Sequence, residues 1–523
     1  MYQHHLLLAH ECAGDAAQGE RLYADAAQHY RDALQMQTII PQDDMRISEK
    51  LAYALSLGSD PDAANPWFDR VLAVYLADPA RTAKAVEILL QRARQLWIDA
   101  RTESALPLLQ QAVELAERDG DARLRKMANS RMANYLIGLS RFNEARSFLH
   151  VVGDVDENDN AATRSTYYTQ LALLAAELGD AGEAYVYFEQ AVNAAKKDVD
   201  FVNIVNVWGA YGSCAGSLGD TELSKTCMER ALLVSRQYHI TWSIPVCCLG
   251  YSGLLFNIGQ YGRAYEYLLD ALSYDAHTPL MDLAFATAGI PIALHMKDET
   301  TLAKCVRPAT VDFAFRSGQP LKITNVAAAF AQWHVAHGRE REAALLLHHA
   351  VDQLCYWHGS WDFPNAVAQY GLPADISRVR KLVEERTRIP HAKVFQAFLE
   401  LFDAFVARRQ GDDAKMRTDA TNAAKQFMAL GWHAYVDLAR TLLPVEVKMK
   451  RTSVIGDKPF TDMQTGLTMR EQQIAELVLR GLTNRAIAVE LSITENTVEK
   501  HMTSIMNRLG IRSRYQLANA VEG

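Results

Sequence analysis

Cysteine is sparse and unpatterned in this sequence. Seven cysteines are scattered over 523 residues. The number is odd, only Cys247 and Cys248 adjoin, and no C-x-x-C pair occurs, which argues against a disulfide framework or a zinc ribbon. No stretch has the form G-x-x-x-x-G-K-[ST], so no ATP-cradling loop is expected. No apolar run approaches the length that spans a bilayer, and Met1-Tyr2-Gln3-His4-His5 lacks the basic region of a signal peptide. No Cys/His or Ser/His/Asp set converges in a motif. His334, His337, His348 and His349 could meet across a helix pair, but they read better as surface or partly packed residues. The expectation is a reduced, cytoplasmic chain that is not an enzyme and holds no cofactor and no metal.

An excess of basic charge is also lacking. The net charge is −8, which excludes a protein that coats nucleic acid indiscriminately. From residue 460 onward seven basic residues balance seven acidic ones, so the acidic excess lies upstream. Residues 495–514 alone are basic, with Lys500, Arg508, Arg512 and Arg514 against Glu495 and Glu499, a net of +2. That suits a few phosphate contacts and specific binding.

What the chain has in abundance is helix, without a convincing alternating strand. A small residue recurs at Ala64, Ala105, Ala145, Ala184, Ser224, Ala264, Ala303 and Ala343, in steps of 39 to 41. Twelve residues earlier stand Ala52, Ala93, Ala133, Ala172, Gly212, Ser252, Pro291 and Ala331. Five earlier a turn residue is common: Ser59, Ser140, Gly179, Gly219, Gly259 and Gly338. Small residues allow two backbones to approach, and glycine takes the positive φ that ends a helix. A looser copy precedes (Ala26, Tyr30, Ala33) and another comes after (Gly411, Ala423). The pattern resembles the tetratricopeptide repeat, with a period longer than the roughly 34 residues of that family.

Such hairpins stack into a superhelix whose first helices line the concave side. That register places Arg94, Trp97, Asn134, Asn206, Ser213, Asn257 and Gln332 toward a ligand groove, although solvated or packing roles fit each of them too. Their mixture would suit a small molecule, a peptide or a protein segment. Trp357 to Pro364 breaks the helical rhythm and reads equally as a binding loop or a packed cap.

The last sixty-odd residues carry a helix-turn-helix pattern. Thr468 and Glu471 form a capping box, and Ile474, Leu477 and Val478 make an apolar stripe that Gly481 ends. Thr483 caps a second helix carrying Ile487, Ala488 and Leu491. Thr494 caps a third, in which Val498, Met502, Ile505 and Leu509 share one face. Asn496, Glu499, Lys500, Thr503 and Asn507 occupy the other and are the candidates for contacts with base edges. Asn484, Arg485, Thr497, Arg508, Arg512 and Arg514 are the candidates for phosphates.

Leu467-Thr468-x-Arg470-Glu471, Gly481-Leu482-Thr483-Asn484-Arg485-x-Ile487-Ala488, Thr497-Val498-Glu499-Lys500-His501 and Arg508-Leu509-Gly510-Ile511-Arg512-Ser513-Arg514 resemble the LuxR-type (NarL/GerE) DNA-binding domain. The resemblance implies four helices, the third in the major groove of double-stranded DNA and the last used for dimerisation, here through Leu517, Ala518 and Val521. Many members carry Lys or Arg where this chain has Glu499, so it implies the mode of binding rather than the target sequence. A repeat array joined to such a tail resembles the carboxy-terminal half of MalT-like activators, without their nucleotide-binding domain.

The expected fold class is all-α. A tetratricopeptide-like array over 1–443 is followed by a linker over 444–462 and a four-helix LuxR-type helix-turn-helix domain over 463–523. The expected function is a sequence-specific transcriptional regulator, a homodimer on DNA, whose array senses a small-molecule, peptide or protein signal. RNA polymerase is a candidate partner and no membrane is. The alternative is a docking scaffold in which DNA binding is secondary.

Overall fold

The computed structural model describes residues 2–20, 22–36, 40–58, 61–153, 159–197, 200–274, 278–354, 361–388, 393–443, 468–479, 487–488, 491 and 494–508. Among these the fold is all-α, without a strand. Antiparallel helical hairpins succeed one another: Thr82–Ile98 with Thr102–Asp119, Ala122–Gly138 with Phe142–Val152, Ala161–Glu177 with Ala181–Lys197, Phe201–Ser217 with Thr221–Gln237, and Ser243–Asn257 with Tyr261–Leu272. Pro320–Ala336 with Glu340–Asp352 and Lys393–Gln410 with Asp413–Ala429 continue the series. A last helix, His433–Arg440, closes it.

The recurring small residues are where these helices touch. Ala64, Ala105, Ala145, Ala184, Ala264 and Ala343 are fully buried, as are Ala52, Ala93, Ala133, Ala172, Ser252 and Ala331. Their facing is direct in one copy: the Ser224 hydroxyl donates to the Gly212 carbonyl at 2.7 Å, and a Cβ on Gly212 would stand 3.1 Å from Met228. The flanking copies agree, with Ala26, Tyr30, Ala33 and Ala423 fully buried.

The turn between paired helices takes a left-handed residue at a constant place. Ser140, Gly179, Gly219, Gly259 and Gly338 have φ from +59° to +94°, and Ala100 joins them at +60°; Ser59 lies outside the described residues. The copy at Ala303 departs from this register. Ala303 is exposed, whereas Leu302 is 2% exposed and the left-handed residue is Lys297, at φ +54°. A π turn at Phe285–Gly289 interrupts the preceding helix. Leu302, not Ala303, is therefore the equivalent position, and Gly289 replaces Pro291 at the close approach, 2.5 Å from the Cys305 Sγ were a Cβ present.

That region also corrects the expectation about apolar runs. Pro279–Met296 is long and apolar enough to cross a bilayer by length and composition, with a mean hydropathy of 1.3. It serves as an array helix here, with Phe285, Ala286, Ile290, Ile292 and Ala293 buried.

The array does not form one body. A first compact unit comprises Met1–Asn203, Pro308–Thr324 and Gln353–His358, and a second comprises Ile204–Arg307, Asn325–Asp352 and Gly359–Gly523. The first has a continuous apolar core from Leu7 to Leu174. In the second, the closing helix returns to earlier hairpins. Tyr261 donates to Asp437 at 2.9 Å, and a Cβ on Gly259 would lie 2.8 Å from that of His433. The expected linker, 444–462, lies outside the described residues.

Candidate nucleic-acid interface

Two helices of the tail lie among the described residues, Met469–Leu479 and Glu495–Arg508. They share a small core of Ile474, Ala475, Leu477, Val478, Ile487, Ala488, Val498, Met502 and Ile505, with Leu491 packed against it. Every apolar residue expected on the inner face is buried where described except Leu491, which is half-buried; Leu509 lies outside.

Caps fix the ends. The Thr468 N–H donates to Glu471 Oε2 at 2.8 Å and the Glu471 N–H to Thr468 Oγ1 at 3.3 Å, the reciprocal geometry of a capping box. The Thr497 N–H donates to Thr494 Oγ1 at 3.2 Å. Glu471 does more than cap. It is 3% exposed, and its Oε1 accepts from the Ser504 hydroxyl at 2.6 Å, with Arg508 Nε at 3.5 Å. It thereby ties the first helix to the third. Burial alone would raise its pKa, but the Ser504 and Thr468 hydrogen bonds and the Arg508 guanidinium pull it down to about 2. Arg470 adds a second tie, donating to the Leu491 carbonyl at 2.8 Å.

With one face of Glu495–Arg508 held this way, the other is left to solvent. Glu499, Lys500, Thr503 and Asn507 are exposed. The Thr503 hydroxyl donates to the Glu499 carbonyl at 3.0 Å. Thr497 is half-buried, with its hydroxyl 2.7 Å from that of Thr494. Arg508 is exposed yet engaged by Glu471, a structural duty the sequence pattern did not reveal. Asn496 lies on the same helix, but its side chain is outside the described set. Asn484, Arg485, Arg512, Arg514, Leu517, Ala518 and Val521 lie outside the described residues altogether.

The residues expected to line a groove in the array fare unevenly. Asn257 and Gln332 line one cavity of about 420 Å³. Ser213 lines an adjoining cavity that also includes Asn257. Asn134 lines a smaller one in the first unit, of about 240 Å³. Trp97 packs against Tyr135, with ring centroids 4.3 Å apart, and Lys322 Nζ sits 5.6 Å from its ring. Burial without a charged partner lowers the Lys322 pKa to about 8. Arg94 and Asn206 are exposed and line none of these cavities. Asp362 and Asn365 also line the first cavity; Asp362 falls within residues 357–364, read equally as a binding loop or a packed cap, and Asn365 just beyond them, where no site residue was expected. Trp361 beside them is packed, stacked on Phe398 at 4.2 Å.

Known proteins place both parts. Residues 465–521 match the model of the bacterial regulatory proteins, luxR family, and residues 165–198 and 205–238 match the tetratricopeptide repeat. Spore germination protein GerE of Bacillus subtilis is 42% identical over 50 residues, covering 10% of this chain and 68% of that protein. Two-component response regulator PprB of Pseudomonas aeruginosa is 46% identical over 55 residues, 10% of this chain and 20% of its own length. Transcriptional regulatory protein UhpA of Escherichia coli is 36% identical over 67 residues, 13% of this chain and 34% of its own. The chain thus spans a minor part of the latter two. Among solved structures, a Rap protein complexed with Competence and Sporulation Factor is similar, with a TM-score of 0.43, 11% identity, and 74% of this chain and 98% of that chain covered. The matching families are regulatory and repeat families rather than enzyme families.

Proposed function

We propose that this chain, which belongs to the luxR family of bacterial regulatory proteins, is a sequence-specific transcriptional regulator whose helical array receives a signal. The observation that carries the reading is the two-sidedness of Glu495–Arg508. Val498, Met502 and Ile505 are 0–5% exposed, while Glu499, Lys500, Thr503 and Asn507 face solvent. An α-helix fits the major groove, where Lys500 can donate to guanine acceptors and Glu499 can accept from a cytosine amino group. Thr503 spends its hydroxyl on the Glu499 carbonyl, which leaves its methyl for a thymine methyl.

From Asn496 to Asn507 the helix rises about 16 Å, room for on the order of five base pairs at 3.4 Å each. A two-fold dimer, joined through Leu517, Ala518 and Val521, would read two such half-sites one helical turn apart. Asn484, Arg485, Thr497, Arg512 and Arg514 would hold the phosphates. Arg508 would join them from its place beside Glu471. A small molecule, peptide or protein segment bound in the array shifts the population of DNA-competent dimers in proportion to its preference for that state.

The test is genome-wide occupancy of the tagged protein beside an Asn496/Lys500/Thr503 triple-alanine variant. Discrete sites that vanish in the variant support the reading. Equal occupancy by both proteins would refute it.

A further inference from the structure

We infer that the cavity beneath the closing helix is the signal site and that its ligand is a small organic cation, a protonated primary amine on an apolar body. This deepens the reading of the array as a signal receiver and rests on it.

The cavity lies wholly within the second unit and encloses about 420 Å³, within the range of about 300–1,000 Å³ usual for small-molecule sites. Its walls are largely apolar and aromatic, with Phe256, Tyr261, Tyr370 and Tyr435 among them. Two side chains on one face of the helix Asp362–Tyr370 specify the ligand. Asn365 is 3% exposed. Its amide nitrogen donates to the Trp361 carbonyl at 3.2 Å, which fixes the orientation of the amide. Its Oδ1 has no hydrogen-bond partner. A buried acceptor left in that state is unfavourable, and a small rotation of the side chain toward the cavity would let an occupant's N–H relieve it.

One turn earlier, Asp362 Oδ1 accepts from the Tyr435 hydroxyl at 2.9 Å. No Lys or Arg pairs with Asp362 among the described residues. Burial raises its pKa, the mark of a carboxylate without a counter-charge. The other carboxylate on the wall, Asp437, is already served by Tyr261 at 2.9 Å and Arg440 at 3.6 Å. One carboxyl without a basic partner and one unmet acceptor therefore stand three residues apart in sequence and so adjacent on the helix. An ammonium group supplies both the charge and the N–H donors, and aromatic faces favour a cation beside them.

The site is joined to the output by its wall. Tyr435 and Asp437 belong to His433–Arg440, the last described helix before the residues that lead to the DNA-binding tail. Occupancy bridges that helix to Asp362–Tyr370 and favours the arrangement in which it is seated.

Calorimetric titration of the full chain without DNA tests the assignment. Hexylamine, phenethylamine and tryptamine are each compared with the alcohol of the same skeleton. At least one amine should bind saturably and about tenfold or more tighter than its alcohol, a difference of about 1.4 kcal/mol. Asp362→Asn, checked for helicity by circular dichroism, should bring the pair within about threefold (roughly 0.7 kcal/mol). No saturable amine binding, or equal binding of amine and alcohol by the unaltered protein, overturns the proposal whether or not the variant folds. Amine binding that leaves DNA occupancy unchanged would keep the site and sink the receiver reading. DNA occupancy that responds to growth conditions in a protein blind to amines would sink the site alone.

Discussion

Glu471 should decide whether the DNA-binding domain holds together, and removing its charge is the sharpest test of how that domain is built. The carboxylate accepts from the Thr468 N–H and hydroxyl and from Ser504, and it faces Arg508. Its pKa falls from the ordinary 4.5 to about 2. At about 1.4 kcal/mol per pKa unit, that corresponds to roughly 3 kcal/mol. Because the folded-state pKa is the lower one, this stability is present above pH 4.5 and is lost as pH falls from 4.5 toward 2. A domain the size of residues 465–521 has roughly 3–9 kcal/mol in total, at about 0.05–0.15 kcal/mol per residue.

Glu471→Gln should therefore remove a third or more of the domain's stability at neutral pH. Hydrogen exchange of the full chain, read on peptides from 468–479 and 494–508, should quicken by about a hundredfold for a loss near 3 kcal/mol. Peptides from the array should not change. Below pH 3 the unaltered protein should approach the variant. Exchange within about threefold of the original at neutral pH would mean a contribution under about 0.7 kcal/mol, and the account of Glu471 as the tie between the two helices would fail.

Three further outcomes are expected. Lys500→Ala should cost about 1–3 kcal/mol in operator affinity and relax selection at one base pair, as read by binding-site selection; uniform weakening across all sequences would make Lys500 a phosphate ligand instead. Gly259→Ala should destabilise the second unit more than Gly338→Ala in thermal melts. Both are left-handed and lose about 1–2 kcal/mol, but only at Gly259 would the new Cβ meet His433, at 2.8 Å; equal losses would deny the contact. Asp362→Asn should raise the melting temperature at neutral pH. The carboxyl has a raised pKa when folded, so its charge opposes folding increasingly as pH rises above the ordinary value of 3.8; an unchanged melt would show the charge to be well compensated.

The tail was legible because its determinants are local. Thr468 and Glu471 are three residues apart, and the burial of Val498, Met502 and Ile505 comes from helical spacing alone. The hairpins were legible through small residues at a fixed period, since each pair of helices needs the same close approach. Where the spacing between turns shortens, as from Gly259 to Lys297, side-chain identity misleads, and Ala303 looked equivalent when Leu302 is. Left-handed turns at Ala100 and Lys297 carry no glycine to announce them. The role of Ser504 against Glu471 needed the third dimension, as did the cavity, which draws residues from Phe256 to Thr441. Asn257 and Gln332 were expected toward a groove by assuming a regular superhelix, while Asp362 lay within, and Asn365 just beyond, the stretch where that regularity was read as broken.

The bond from Tyr261 to Asp437 spans 176 residues. Helical arrays usually vary by gaining or losing whole repeats, since each module touches only its neighbours. A clasp between distant modules removes that freedom. Deleting one hairpin between Tyr261 and Asp437 would rotate and shift every module beyond it and carry Asp437 out of reach. Descendants of this chain that keep the clasp should therefore hold the number of hairpins between these two residues constant, while repeats outside the clasped segment remain free to come and go.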